Sequence, residues 1–421
     1  MIYSQAAPLD NTVENVLFKA LVRVGAVSQD NSDDPVKVNL ARAARTDKGV
    51  HAAGNVVSMK LITSIPGVPD WVARVNEELP PEIRVWSYVR VQNSFSAHTA
   101  CDSRKYTYFF PSYLSLPPKP GSGQYNKLAA QEGVSQDVLQ HGFWQEGDAF
   151  IASEAGDDVV AAQADLKRKR AWRTSPAHME RLRLVANKFL GTHNFHNFTV
   201  GRDFGDRSCH RHMKQIEIAD PQVYGDTEWI SVLFHGQSFM LHQRKMMSAL
   251  VLCSRSGTPE SVIGELYGPR NVLIPKMPSL GLLLEHPIFD AYNKHMEPIN
   301  AKLQPGDAEY RPPIGFAEHG EAMESFKENF IYANMREVEN RDGTFDMWIR
   351  NIDDYAGDDL LYLNPKGVVP QQAVVQKGKR REDPLYERPR RKLTQNSKTE
   401  PEEDESDEEN TRKQKPSDLE G

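Results

Sequence analysis

The chain has little cysteine. Cys101, Cys209 and Cys253 are the only three among 421 residues, too few for a disulfide framework, and that scarcity points to a reducing compartment such as the cytosol or nucleus. It also lacks a long apolar run: the longest, Met246 to Cys253, is far short of the roughly 20 residues that cross a bilayer. The opening Met1-Ile2-Tyr3-Ser4-Gln5 has no basic segment followed by an apolar one, so neither secretion nor a membrane partner is expected. Positive charge is not in excess either. The formal net charge is −7, and the segment from Asn364 onward carries 13 basic and 13 acidic residues, which leaves the whole −7 on the residues before it. A polyanionic partner would therefore have to be held by a local patch. Two candidates are Lys167-Arg168-Lys169-Arg170 with Arg173, and the group Arg202, Arg207, His210, Arg211, His212 and Lys214; a solvated charged face is the bland reading of each. Cys209-His210-Arg211-His212 has no second Cys/His pair near it, so it reads as a polar segment and not as a closed zinc site.

What is present is a soluble composition, 39% hydrophobic and 26% charged, arranged as an α+β chain. Val13, Val16, Leu17, Ala20, Leu21 and Val24 recur at helical spacing, with Asn11 and Glu14 as a capping pair and Gly25 as the stop. Strands are expected at Val36 to Leu40, Asn55 to Leu61 and Ile83 to Val91, with a short helix at Asp70 to Asn76. The Pro- and Gly-rich run from Pro117 opens a polar stretch to about Arg173 that reads as a variable insertion or a mobile loop between the halves. A helix follows Ser175-Pro176, then strands at Met213 to Ile218 and Ile230 to Phe234 and a helix from about Phe239. These signals divide the chain into 1–113, an insertion 114–173, a second half 174–300, a helical extension 301–363 and a disordered charged tail 364–421. The tail's basic block, Lys377 to Lys392, suits nuclear import or an RNA-contacting arm.

The segment Arg42 to Gly54 carries chemistry. Asp47 sits on a Thr-Asp-Lys-Gly turn with Arg42 and Arg45 on its strand side. A carboxylate beside guanidinium groups stays ionised, which a nucleophile requires. The same four residues also make an ordinary turn, with Asp bonding its own backbone and Gly supplying positive φ.

Four further segments bear on that choice: Phe95-Ser96-Ala97 with Ser103 to Tyr108, Gly191 to Phe198, Phe239 to Met246, and Leu280 to Glu285. With Arg42 to Gly54, their order and wording resemble the TruA family of tRNA pseudouridine synthases, nearest to a eukaryotic branch of it, over residues 10 to 295. The resemblance implies a TruA-like α/β fold in which two ferredoxin-like (RRM-like) halves join their antiparallel sheets around a basic cleft. It implies isomerisation of uridine to pseudouridine in tRNA, and in other nuclear RNAs, by a monomeric nuclear enzyme needing no cofactor and no metal. Asp47 would be the catalytic carboxylate, forming an adduct with the ribose or taking a ribose proton. Arg45, Tyr106 and Arg244 would bind substrate, Tyr106 over the extruded uracil and Arg244 paired with Asp47. Arg104, Lys105, His193, Arg211 and Lys214 are candidates for RNA contact, and His193, Asn194 and His196 would line the cleft. Without the resemblance, Tyr106 alternates with Tyr108 and Phe110 as a sheet aromatic and Arg244 is a plain helix cation. An RNA-binding protein of the same fold without catalysis is the rival reading, and an Asp-nucleophile hydrolase of small substrates a third.

Two departures from the family pattern motivate the rival. The family's opening strand and Tyr-x-Gly segments are not found before the first helix, so a central strand is expected to be missing. One apolar residue is also absent between Gln243 and Arg244, and deleting one residue rotates a helix by about 100°. Either Arg244 points away from Asp47 or the preceding loop shifts to restore it.

Overall fold

The computed structural model describes residues 12–145 and 158–376. Helix α1, Val13–Val24, is capped by Thr12, whose side chain accepts from the Asn15 N–H at 3.1 Å, and ends at Gly25 with φ 86°. The expected cap, Asn11, lies outside the described residues. Asp70 caps α2, Trp71–Glu78. Phe18, Leu21 and Val24 of α1 pack with Trp71 and Val75 of α2 in a small core of their own.

The strand expected at Val36 to Leu40 does not form. Asp34 accepts the Val36 N–H at 2.8 Å and Pro35 opens a 3₁₀ turn through Val38, because an Asp-Pro pair at a cap and first helical position starts a helical turn before a strand can extend. The strands that do form are β1 (Ala41–Arg42), β2 (His51–Ala52), β3 (Val57–Ser58), β4 (Ser103–Pro111), β5 (Gly191–Asn194), β6 (His210–Ile218), β7 (Gln222–Tyr224), β8 (Thr227–Gly236) and β9 (Leu282–Ile288). Of the expected strand Asn55 to Leu61 only β3 pairs, antiparallel to β1. Ile83 to Val91 carries no ladder. Instead, the Asn76 amide serves the backbone of Val85, accepting from its N–H and donating to its carbonyl, each at 2.8 Å. One side chain there replaces a neighbouring strand.

The principal sheet runs β2-β9-β4-β8-β6-β5, with β7 on β8. It is mixed, not wholly antiparallel as expected, because β2 runs parallel to β9. The α/β class and the joining of both halves in one sheet hold, since β9 lies between β2 and β4. Residues alternate across β4. Tyr108 and Phe110 face a core shared with helices α4 (Pro176–Asn187) and α5 (Lys245–Ser256). Phe109, on the other face, stacks on Trp229 at 4.6 Å and meets Tyr332 at 4.9 Å.

The described part of the polar stretch after Pro117 packs on the rest of the chain, so of the two readings, insertion or mobile loop, the described residues do not form a mobile loop. Leu128, Val138 and Trp144 are buried, and the Gln124 amide donates to the Tyr355 carbonyl at 2.6 Å. Helix α3, Asp158–Ala171, explains the first basic run. Lys169 is buried between Asp165 (3.1 Å) and Asp346 (2.9 Å), Arg168 bonds the Phe143 carbonyl, and Arg170 donates to the Glu339 and Asn340 carbonyls. Those cations are struts, not an anion-binding patch; only Lys167 among the four is exposed. Toward the C-terminal side of the described residues lie α6 at Ala333–Asp342 and α7 at Thr344–Asp354. The first part of the segment expected to be a disordered tail, residues 364–376, packs: Asn364 holds the Val368 carbonyl at 2.7 Å and Val374 bridges to Val272. The charged blocks beyond Gln376 lie outside the described residues, and among those described no helix is long and apolar enough to cross a membrane.

Candidate active site

Asp47 lies on the connection that leaves the small β1/β3 sheet and enters the principal sheet through β2. The turn is tight. The Val50 N–H bonds the Asp47 carbonyl at 3.1 Å, and Gly49 takes φ 79° with Ser279 so close that a Cβ would lie 2.8 Å from its Oγ. Only glycine meets both conditions without strain. The flanks are pinned: the Asn55 amide donates to the Ala44 carbonyl at 2.9 Å, and Arg104 donates to the Ala43 carbonyl from Nε at 3.0 Å and Nη2 at 2.6 Å.

Two cationic or polar groups meet the carboxylate from the second half. Arg244 Nη1 and His242 Nδ1 each stand 3.5 Å from Asp47 Oδ2. At that distance they are charge and polar contacts at the outer limit of hydrogen bonding. The Asp47 side chain is 39% exposed, so substrate can reach it, whereas that of Arg244 is 7% exposed and fixed. Burial works to raise the Asp47 pKa, but His242, Arg244 and the positive charge of the buried Lys276 outweigh it and hold the carboxyl below its usual range. His242 moves down as well, because burial and the charges of Lys276 and Arg244 outweigh its attraction to Asp47. At neutral pH the site therefore holds an ionised carboxylate beside a neutral imidazole.

Arg244 does not point away from Asp47; it reaches it from a turn. The helix expected from Phe239 starts at Lys245, and the residues before it form a turn in which His242 takes φ 56°, a conformation uncommon outside glycine. Gln243 closes that turn on itself, its Oε1 accepting from the Met240 N–H at 2.7 Å.

Tyr106 stands at the edge of the same site, with its ring 4.7 Å from that of Phe239 in an edge-on arrangement. Burial pushes its hydroxyl up to about 12; Arg104 opposes this, and the Asp47 charge adds to it. Arg45 is exposed two residues before Asp47. The expected RNA contacts divide. Arg104 is occupied by the Ala43 carbonyl and reaches Gln237 as well. Lys105 points to the opposite face, into a groove of about 650 Å³ lined with Thr107, Glu285, His286 and Lys327 that does not touch Asp47. His193 and Arg211 are opposite neighbours in the β5–β6 ladder, but His193 stacks flat on Tyr267 at 4.2 Å and Arg211 donates to the His210 carbonyl at 2.9 Å. Asn194 and His196 build the local turn, the Asn194 side chain accepting from the His196 N–H at 3.1 Å. Lys214 is exposed at a bulge in β6, with Arg207, His210 and His212 exposed nearby along the chain. His242 and Lys276 were not singled out from sequence. His242 stood inside a quoted motif, but only its backbone conformation turns it toward Asp47, and nothing near Lys276 in sequence ties it to position 47.

The arrangement defines a carboxylate-centred site, assembled by both halves of the sheet, that can attack or deprotonate a substrate carbon. Comparison with known proteins names the group. The family model described as tRNA pseudouridine synthase matches residues 185–290. The tRNA pseudouridine synthase 1 of Candida glabrata is 39% identical over 385 residues, covering 83% of this chain and 68% of the relative. That of Schizosaccharomyces pombe is 34% identical over 463 residues, covering 88% and 84%. The tRNA pseudouridine(27/28) synthase of Saccharomyces cerevisiae is 35% identical over 328 residues, covering 72% and 85%. The chain belongs to the tRNA pseudouridine synthase family.

Proposed function

We propose that this chain isomerises uridine to pseudouridine in tRNA, with Asp47 as the reacting carboxylate. The observation that carries the reading is the meeting of Arg244 and His242 on Asp47 Oδ2, which keeps that oxygen charged and aimed into an accessible space. In the reaction the bond from ribose C1′ to uracil N1 breaks as Asp47 attacks C1′. The freed base turns, C5 bonds to C1′ as the carboxylate leaves, and the C5 proton is lost while N1 gains one. Atoms and charge balance without oxidant or reductant. A stacked uridine hides C1′, so it must first be swung out, at about a few kcal/mol. Stacking on Tyr106 offsets this by ~1–3 kcal/mol, and phosphate contacts from exposed cations such as Arg45 and Lys214 add to it.

Incubating the purified chain with unmodified tRNA tests the reading: wild type forms pseudouridine, and Asp47→Ala forms none while still binding the RNA. Binding by wild type without product would leave the rival reading, an RNA-binding protein without catalysis. Action on other nuclear RNAs, a monomeric state and a nuclear location belong to the same proposal. The last is supported by the basic block Lys377 to Lys392, and a fluorescent fusion lacking that block should fail to concentrate in nuclei.

A further inference from the structure

The turn that delivers His242 and Arg244 to Asp47 is held from outside itself. Thr199, buried at the end of the segment that follows β5, donates from Oγ1 to the Leu241 carbonyl at 2.9 Å. Its own carbonyl accepts from Lys245 Nζ at 3.1 Å. One residue thus grips the turn on both sides: Leu241 immediately before His242, and Lys245 immediately after Arg244. Leu241 is itself 40% exposed, so its side chain contributes little to anchoring the turn. A grip is needed here because His242 sits at φ 56°, a strained conformation for a non-glycine residue that persists only where the surroundings enforce it.

We propose that Thr199 is a positioning residue for the isomerisation, its hydroxyl fixing the left-handed turn at His242 so that Arg244 and His242 face Asp47. Thr199 does not touch the reacting atoms; it acts through the Leu241 carbonyl. The inference rests on the reading of Asp47 and Arg244 given above.

Thr199→Val keeps the shape and the backbone carbonyl that Lys245 uses, but removes the hydroxyl; Thr199→Ser restores it, and Thr199→Ala removes it without placing a methyl against Leu241. With the full chain and unmodified tRNA, Thr199→Val and Thr199→Ala should lower kcat by on the order of 10-fold, the worth of one buried hydrogen bond. KM and tRNA affinity should stay near wild type, and Thr199→Ser should recover most of the rate. The acid limb of the pH profile should also move to higher pH in the Val and Ala variants, because Asp47 loses part of its cationic company. In the Arg244→Ala background the same substitutions should cost less than they do in wild type, since only His242 is left to misplace. The proposal is overturned if both variants match wild type, if Ser is as slow as Val, if the acid limb stays in place, or if the losses add in full to that of Arg244→Ala. A wild type that makes no pseudouridine, or an Asp47→Ala that still does, would instead sink the underlying reading.

Discussion

Arg104 and Ala43 are joined by a forked contact, two guanidinium nitrogens on one carbonyl at 3.0 and 2.6 Å, and through it the central strand of the sheet holds the base of the Asp47 loop. A charged donor pair on a buried acceptor is worth about 1.5–3 kcal/mol per bond. Arg104→Ala should therefore lower kcat by on the order of 10- to 100-fold while tRNA affinity changes little, measured by single-turnover kinetics and filter binding. A loss confined to affinity would mean that Arg104 faces RNA after all.

The charge on Asp47 depends on its neighbours, so its titration reports them. Burial favours the neutral acid, and His242, Arg244 and Lys276 hold the carboxyl down in spite of it. Because the folded value is depressed, the stability Asp47 gains from ionisation is present above the ordinary carboxylate range and is lost as pH falls through its own lower value. Activity should follow the same ionisation, flat through neutral pH and falling on the acid side. Arg244→Ala should move that acid limb to higher pH and lower kcat at neutral pH by on the order of 100-fold. Arg244→Lys should do less to the limb than to the rate, since it keeps a charge but not the guanidinium's reach. An unmoved limb would show that Arg244 does not set the ionisation of Asp47.

Local signals in the sequence were legible and non-local ones were not. Helix α1 and its Gly25 stop, α2 behind Asp70, and the glycine turn after Asp47 are each written within a few neighbouring residues, and they stand where sequence places them. The strand expected at Val36 to Leu40 gave way to Asp34-Pro35, a local signal read too weakly. Ile83 to Val91 has strand composition, but a strand also needs a partner, and Asn76 supplies the bonds of Val85 instead. The pairing of β2 with β9 joins His51 to Leu283 across most of the chain, which no periodicity reveals. At the site, the motif wording pointed to Asp47, Tyr106 and Arg244. Arg244 faces Asp47 from a turn in which His242 takes φ 56°, a backbone conformation that the motif wording does not reveal.

Two basic positions separate structure from RNA contact. Lys169 is buried between Asp165 and Asp346, which Arg350 also meets at 3.8 and 2.6 Å, so Lys169→Ala takes from two buried carboxylates one of their two shared cations. Removing the sole partner of a buried charge costs about 3–5 kcal/mol; with Arg350 in place the cost is smaller, and the melting temperature should still fall while the folded fraction binds tRNA. Lys214 is exposed at the β6 bulge. Lys214→Gln should leave melting unchanged, weaken tRNA binding, and reduce the salt dependence of affinity by about one unit of slope. The reverse pattern would return the first basic run to the role of an anion patch.

Glu339 ties the C-terminal extension to the rest of the core. Its carboxyl accepts from the Tyr113 hydroxyl and, at 2.7 Å, from the Phe345 N–H, and it is 1% exposed. Burial raises its pKa to about 7; Phe345, Tyr113 and Arg170 pull the other way, and Asp346 pushes with burial. The same burial, with the charge of Glu339, pushes Tyr113 up, so both partners favour their neutral forms. A folded value raised above the unfolded one means that the folded chain holds a proton the unfolded chain has released. The stabilisation is complete below the ordinary glutamate range and is lost as pH rises to about 7. Thermal melting should therefore give a lower midpoint at pH 8 than at pH 6. Glu339→Gln should flatten that slope, because its carbonyl oxygen can still accept from Phe345 while its NH₂ turns to the Tyr113 oxygen. Should the variant keep the wild-type slope, the pH dependence would belong to another group and Glu339 would be ionised in the fold.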